Sequence, residues 1–219
     1  VLTYNGKSFS PLPRFPPSSG QLYISKHNDN LIAAFPYEQV IKIYNLTSQK
    51  ITWQSERLPA TILTSPIASA GYLYFPDYKN SIYKISYYKN VSRNYTLELG
   101  TGSISNMISH QGQLYFVGND GNFYGIHMES FASYRIINEL DSIKREDKYF
   151  TKKILFNNPY IYFACDNGKL FSYNTKNSES LFIDITEGNT PFLSSPLIIN
   201  NSIYLLDRNA IIYKIDKNI

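Results

Sequence analysis

The sequence has little of the chemistry from which catalytic and metal sites are usually built. It contains one cysteine, Cys165, and three histidines, His27, His110 and His127, among 219 residues. One cysteine excludes an internal disulfide and any metal site that needs several thiolates. The histidines have neither H-x-x-x-H nor H-E-x-x-H spacing, and G-x-S-x-G is absent. The sequence therefore predicts no catalytic residue, no metal ligand and no cofactor, and we expect a protein that is not an enzyme.

Charge and long apolar runs are also scarce. The 21 basic and 17 acidic residues give a net charge of +4, and the basic residues are scattered singly along the sequence. A nucleic-acid-binding surface needs a basic stripe, so we expect no nucleic-acid partner. No run approaches the length of about 18 apolar residues that a spanning helix needs, so we expect no transmembrane segment. The chain begins with Val and shows no signal-peptide pattern, which favours a mature or trimmed product.

Tyrosine and phenylalanine are abundant, with 20 and 13 copies, and they recur in a repeat. An aromatic strand, a polar turn and a second apolar strand follow each other in each copy. The first apolar residue of that second strand marks the repeat at Ile41, Ile82, Phe123, Leu170 and Ile212. These markers are separated by 41, 41, 47 and 42 residues. A period near 40 with several strands per unit is typical of a β-propeller.

We interpret the chain as an all-β protein with one domain over residues 1–219. The fold is a β-propeller of four-stranded antiparallel blades, with five blades closed by the N-terminal strand. The blades are expected at about 20–54, 61–99, 103–140, 150–185 and 192–219 plus 1–5. The last blade lacks an outer strand, which Val1-Leu-Thr-Tyr could supply and so remove an exposed sheet edge. The alternative is a trimmed piece of a ring with seven or eight blades.

The first unit is the least regular, and its strands are expected at 20–26, 31–36, 40–45 and 50–54. In the later units the turns between the second and third strands begin at Asp77, Asn119, Asp166 and Asp207. Asp, Asn and Gly favour tight hairpin turns, so we interpret these aspartates as structural. A calcium loop would need carboxylates at alternate positions, which these turns lack.

Residues 41–53 resemble the PQQ-like repeat of a β-propeller family. The family pattern runs approximately V-Y-A-L-D, two residues, T-G-K, two residues, W, and here Lys50 and Trp53 coincide with it. The Ser-Pro pairs at Ser65 and Ser195 are similar to those that begin the family's strands. By this resemblance Trp53 is the docking tryptophan that packs between neighbouring blades. The same residue is also interpretable as an ordinary core tryptophan.

Two groups within this family suggest different functions. The quinoprotein dehydrogenases have eight blades, vicinal cysteines and calcium ligands, which this chain does not match. The resemblance to the BamB-type scaffolds of outer-membrane assembly implies a non-enzymatic interaction scaffold with a protein partner in an envelope complex. It also implies a periplasmic or outer-membrane-associated location, with membrane association through the partner or a lost lipid anchor. The alternative is a propeller that binds a small ligand or a glycan.

The longest interval between markers contains a charged segment, residues 141–148. It falls between the third and fourth blades, where a loop lies on a face of the ring. We predict that Lys144, Arg145 and Lys148 contact a partner, and a solvated loop is the alternative.

Overall fold

The computed structural model describes most of the chain. The described residues are 2–4, 9–11, 22–59, 61–77, 81–87, 94–98, 105–118, 122–137, 153–165, 167–186 and 190–216. Their contacts divide the chain into two compact units, Val1–Gly100 and Thr101–Ile219. The expected single domain and its blade boundaries stay predictions.

The first unit contains a short hairpin and two four-stranded antiparallel sheets. The hairpin pairs β1 (Leu2–Tyr4) with β2 (Phe9–Pro11). Sheet 1 consists of β3 (Tyr23–His27), β4 (Asn30–Phe35), β5 (Val40–Asn45) and β6 (Lys50–Gln54), in that order. Sheet 2 consists of β7 (Ile67–Ser69), β8 (Tyr72–Pro76), β9 (Ser81–Ser86) and β10 (Asn94–Glu98). The four strands of sheet 1 confirm the expected order of the irregular first unit.

The second unit contains three more antiparallel sheets, in which strands adjacent in sequence are also paired. Sheet 3 has β11 (Ile108–His110), β12 (Gln113–Val117), β13 (Phe123–His127) and β14 (Ala132–Ile137). Sheet 4 has β15 (Leu155–Asn157), β16 (Tyr160–Ala164), β17 (Lys169–Asn174) and β18 (Ser180–Asp184). Sheet 5 has β19 (Leu197–Ile199), β20 (Ser202–Leu206) and β21 (Ile212–Asp216). The chain is thus all-β over its described residues, as predicted.

Pairing of the N-terminal strand with the last blade is not detected among the described residues, and closure of the ring by this strand stays a prediction. Leu2–Tyr4 pairs with Phe9–Pro11, with Thr3 opposite Ser10, and the described part of sheet 5 has three strands. Pairing with a strand only a few residues away is favoured because closing a short loop costs little chain entropy.

Within each unit, successive sheets pack face to face through alternating residues of their strands. On β5 the side chains of Ile41 and Ile43 meet sheet 2, in a core cluster that contains Tyr83 and Ile85 of β9. In the second unit, Phe123 of sheet 3 likewise meets the face of sheet 4 that carries Phe171 and Tyr173. Leu170, on the opposite face of sheet 4, packs in a cluster with Ile203 and Leu205 of sheet 5. In sheets 1, 3 and 4 the face that contains the repeat marker therefore packs against the sheet that follows within the same unit.

The turn aspartates have the structural role that the sequence predicts where the structure describes them. Asp77 is buried, and its carboxylate accepts hydrogen bonds from the Ser81 amide at 2.9 Å and the Tyr83 hydroxyl at 3.0 Å. Asp207 is also buried, and its carboxylate accepts hydrogen bonds from two turn amides and the Tyr213 hydroxyl. Asn119 and Asp166 lie outside the described residues.

Candidate functional site

Sheet 5 has one apolar face on which several large side chains are exposed. The exposed fractions of Leu197, Ile199 and Ile212 are 56%, 47% and 70%. In the register of the sheet, Leu197 lies opposite Tyr204, and Tyr204 lies opposite Lys214, so these side chains share that face. Three large aliphatic side chains are therefore in contact with solvent on one side of a single sheet.

The residues at the repeat positions of Ile212 and Lys214 are buried in other sheets. Ile82 of sheet 2 and Leu170 of sheet 4 occupy the position of Ile212 in the repeat, and both are fully buried. Lys84 occupies the position of Lys214 and is also buried, with its ammonium 4.7 Å from the centre of the Tyr72 ring. Sheet 5 therefore has, at these positions, side chains of the kind that are buried in other sheets, although in sheet 5 they are exposed.

A cavity of about 340 Å³ lies between sheets 4 and 5, on the opposite side of sheet 5 from this face. The apolar and aromatic part of its wall consists of Tyr160, Tyr162, Leu181, Ile183, Ile203 and Ile215. The polar part consists of Ser172, Asn174, Glu179, Ser180 and Asp216. Leu181 and Ile183 belong to the outer strand of sheet 4, and sheet 5 has no described outer strand to cover them. The cavity therefore occupies the place where a fourth strand of sheet 5 would pack.

The charges at the cavity follow from its hydrogen bonds. The Ser202 hydroxyl donates to Asp216 at 2.8 Å, and the Lys214 ammonium lies 3.2 Å from the same oxygen. Both interactions favour the carboxylate and lower the pKa of Asp216, the hydrogen bond from Ser202 most. Burial, with a smaller effect of Tyr160, raises the pKa of Tyr162 to about 12, so this hydroxyl is neutral at physiological pH. The cavity thus combines an apolar floor, neutral hydroxyl groups and the carboxylates of Glu179 and Asp216.

The structure places one of the predicted site residues and leaves the others outside its described part. Lys144, Arg145 and Lys148 lie outside the described residues. Trp53 is partly buried on β6, where it packs against the core between sheets 1 and 2 and meets Tyr87 edge to face at 6.4 Å. This location is compatible with a docking tryptophan and with a core tryptophan, so its role stays a prediction.

The histidines and the cysteine do not meet in the described structure. His110 packs on the Phe156 ring at 4.4 Å, His127 contacts Gln113 at 2.7 Å, and Cys165 is a buried free thiol. Among the described residues no group of three or more His, Cys, Asp or Glu side chains is placed to hold a metal ion. The part of the chain that the structure describes also has no helix long and apolar enough to cross a membrane.

Sequence reasoning missed the cavity and the open face. The exposed residue Ile212 looks like a core residue in the sequence because it matches the buried Ile82 and Leu170, and Leu197 and Ile199 match partly buried positions such as Ile67 and Ser69. The signal that could have found them is the missing outer strand of the last unit, which leaves Leu181 and Ile183 without a covering strand.

Solved structures similar to this chain are β-propellers. BamB from Moraxella catarrhalis matches with a TM-score of 0.59 and 14% identity, over 88% of this chain and 56% of that protein. The β-propeller domain of Cps50 (Swd1) from Myceliophteria thermophila matches with a TM-score of 0.66 and 11% identity, over 90% and 65%. Sqt1 from Saccharomyces cerevisiae matches with a TM-score of 0.65 and 12% identity, over 98% and 65%.

These likenesses assign the β-propeller fold. This chain spans 56% to 65% of the length of the three proteins. No protein-family model matches the sequence, and no curated protein matches it either. The fold is shared by bacterial and fungal proteins, and a common propeller fold does not by itself give a function.

Proposed function

We propose that this chain is a non-enzymatic propeller that binds a protein partner. The observation that carries the proposal is the exposed face of sheet 5, where Leu197, Ile199 and Ile212 are exposed although the counterparts of Ile212 in sheets 2 and 4 are buried. A contiguous exposed apolar face is typical of a surface that another protein covers. Lys214 and Asp216 share this face with Ile212 in the register of the sheet and supply polar side chains beside the apolar ones.

The finer proposal is a subunit of an envelope complex, located in the periplasm or at the outer membrane. It is supported by the PQQ-like pattern of residues 41–53 and by the structural likeness to BamB. In this proposal the five sheets are the blades of one PQQ-like propeller. Membrane association occurs through the partner or through a lipid anchor, and nucleic acid is not a partner. The chain needs no cofactor for this role.

The test is affinity capture of the tagged chain from cross-linked, detergent-solubilised bacterial envelope, read by mass spectrometry. We expect a defined envelope protein to be recovered with the natural chain. The variant Ile212→Asp places a charge on the open face, and we expect it to recover less of that protein. Recovery of nothing above the control would contradict the scaffold function, and recovery of a cytosolic complex would contradict the envelope location.

A second candidate function is binding of a small ligand or a glycan in the cavity between sheets 4 and 5. Its volume of about 340 Å³ falls at the lower end of the range of ligand pockets. Two tyrosines, Tyr160 and Tyr162, line it with stacked rings 5.9 Å apart, which suits a sugar ring or an aromatic ligand. Calorimetric titration with a glycan library distinguishes this candidate, because saturable binding would be lost in Tyr160→Ala.

A further inference from the structure

The free edge of β21 is arranged to receive one more strand. The Asp207 amide donates to the Ile211 carbonyl at 3.0 Å, which fixes the alternation of backbone groups along the antiparallel pair of β20 and β21. By that alternation Tyr213 and Ile215 bond to β20, and the backbone N–H and C=O groups of Ile212, Lys214 and Asp216 point away from it. In the described part of the chain no strand lies on that side of β21.

Sheet 4, which has four strands, shows how an outer strand pairs with the matching edge. Asn174 occupies the position of Asp216 in the repeat, and its amide donates to the Glu179 carbonyl at 2.8 Å where the outer strand begins. That outer strand, β18, runs antiparallel to β17. The matching place beside β21 is the cavity whose floor is formed by Leu181, Ile183 and Ile215. A strand added here would pair with the outward N–H and C=O groups of β21, and one of its side chains would fill the cavity.

We propose that an extended segment of the protein partner binds antiparallel to β21 as the fourth strand of sheet 5. This inference rests on the proposed interaction function and names the chemistry of the partner. The segment carries a branched or aromatic residue that enters the cavity, and a lysine or arginine beside it. The basic residue is specified by charge, because Glu179 and Asp216 both line the cavity. Backbone bonds to the edge supply affinity, and the cavity supplies the choice of side chain.

The probe is a fluorescent peptide with the sequence of residues 49–55, Gln-Lys-Ile-Thr-Trp-Gln-Ser, which forms the outer strand of sheet 1. Binding to the full chain is measured by anisotropy. We expect saturable binding that weakens at least about tenfold in Lys214→Pro, because proline removes the outward N–H. An edge strand tolerates proline where its N–H faces solvent, so the sheet should stay folded.

Two controls separate the backbone from the side chains. Lys214→Ala keeps the outward N–H and loses the charge, and we expect its affinity to stay within about threefold of the natural chain. Leu181→Glu leaves the edge intact and places a charge in the cavity, and we expect loss of binding at least as large as in Lys214→Pro. Circular dichroism and the unfolding midpoint confirm that each variant is folded.

Several outcomes would overturn the inference. Equal binding by Lys214→Pro and Lys214→Ala would show that the peptide does not use the edge. Binding that is absent in the natural chain but present in Thr3→Pro would show that β1 of the same chain occupies the edge. A dimer that Lys214→Pro converts to a monomer would assign the edge to a second copy. Failure of this inference can be distinguished from failure of the proposed function. Equal capture of an envelope protein by the natural chain and by Lys214→Pro contradicts only this inference, whereas capture of nothing by the natural chain contradicts the proposed function.

Discussion

Asp77 and Asp207 occupy the same place in the repeat, where the second strand of a sheet ends. At this place the backbone amide of Asp77 donates to Ser81, that of Cys165 donates to Lys169, and that of Asp207 donates to Ile211. Where the residue is aspartate, a tyrosine hydroxyl on the next strand donates to its carboxylate. In sheet 4 the residue is Cys165, and Phe171 takes the place of that tyrosine. The carboxylate acceptor and its tyrosine donor are therefore absent together in sheet 4, so neither is left without the other.

Removing the Asp207 carboxylate should destabilise the chain more than removing its tyrosine partner. The variant Asp207→Ala leaves the Asn209 and Ile211 amides and the Tyr213 hydroxyl without their shared acceptor, and we expect a loss of about 2–3 kcal/mol in the free energy of unfolding. Tyr213→Phe removes one hydrogen bond, and we expect a loss of about 1 kcal/mol. Urea unfolding of both variants checks this order, and equal losses would contradict the role of the turn.

Two buried tyrosines predict a loss of stability in alkali. Burial raises the pKa of Tyr74 and of Tyr162 from 10.0 to about 12. A raised pKa in the folded state means that the stabilisation is complete below pH 10 and is lost as the pH rises from about 10 to about 12. The melting temperature should fall in this range, and it should fall less steeply in Tyr162→Phe. Tyr37→Phe changes an exposed tyrosine and is the matched control, so an equal slope in both variants would contradict this assignment.

At the scale of the sheets, equal positions in the repeat have unequal surroundings. Leu170 and Ile212 are both repeat markers, yet Leu170 is buried between sheets 4 and 5 and Ile212 faces solvent. The variant Leu170→Asp places an unpaired charge in a core, and we expect it to cost more than about 4 kcal/mol or to prevent folding. Ile212→Asp should change the free energy of unfolding of the isolated chain by less than about 0.5 kcal/mol. Thermal unfolding checks both, and a large loss in Ile212→Asp would show that this face is covered in the free protein.

The strands of the sheets could be predicted from sequence, and the site could not. Alternating aromatic and aliphatic residues define strands such as Tyr72–Pro76 locally, and a repeat of about 40 residues fixes how they are grouped. The cavity wall combines β16, β17 and β18 with β20 and β21, so it depends on the absence of a strand rather than on any motif. The repeat pattern did not show the pairing of Leu2–Tyr4 with Phe9–Pro11, and closure of the ring by this strand stays a prediction.

At the scale of the whole chain, we expect different residues to determine the stability of the fold and the binding of a partner. Each core cluster lies between two consecutive sheets, so stability is distributed over several similar interfaces. The features proposed for binding lie where this regularity fails, at the open face and edge of sheet 5. The charged segment 141–148 is a second departure, because it lengthens one interval of the repeat. Substitutions at either departure should therefore affect partner binding without affecting folding.

The charged segment gives the most direct test of that separation. The double variant Lys144→Glu and Arg145→Glu reverses two charges in the segment predicted to contact the partner. We expect its capture of the envelope partner to fall about tenfold, because opposed charges at an interface weaken association, and we expect the loss to shrink as salt rises. The unfolding midpoint should stay unchanged. Lys176→Glu, on an exposed turn of sheet 4, is the control for net charge. Equal capture by all three proteins would assign residues 141–148 to a solvated loop and leave the open face of sheet 5 as the binding surface.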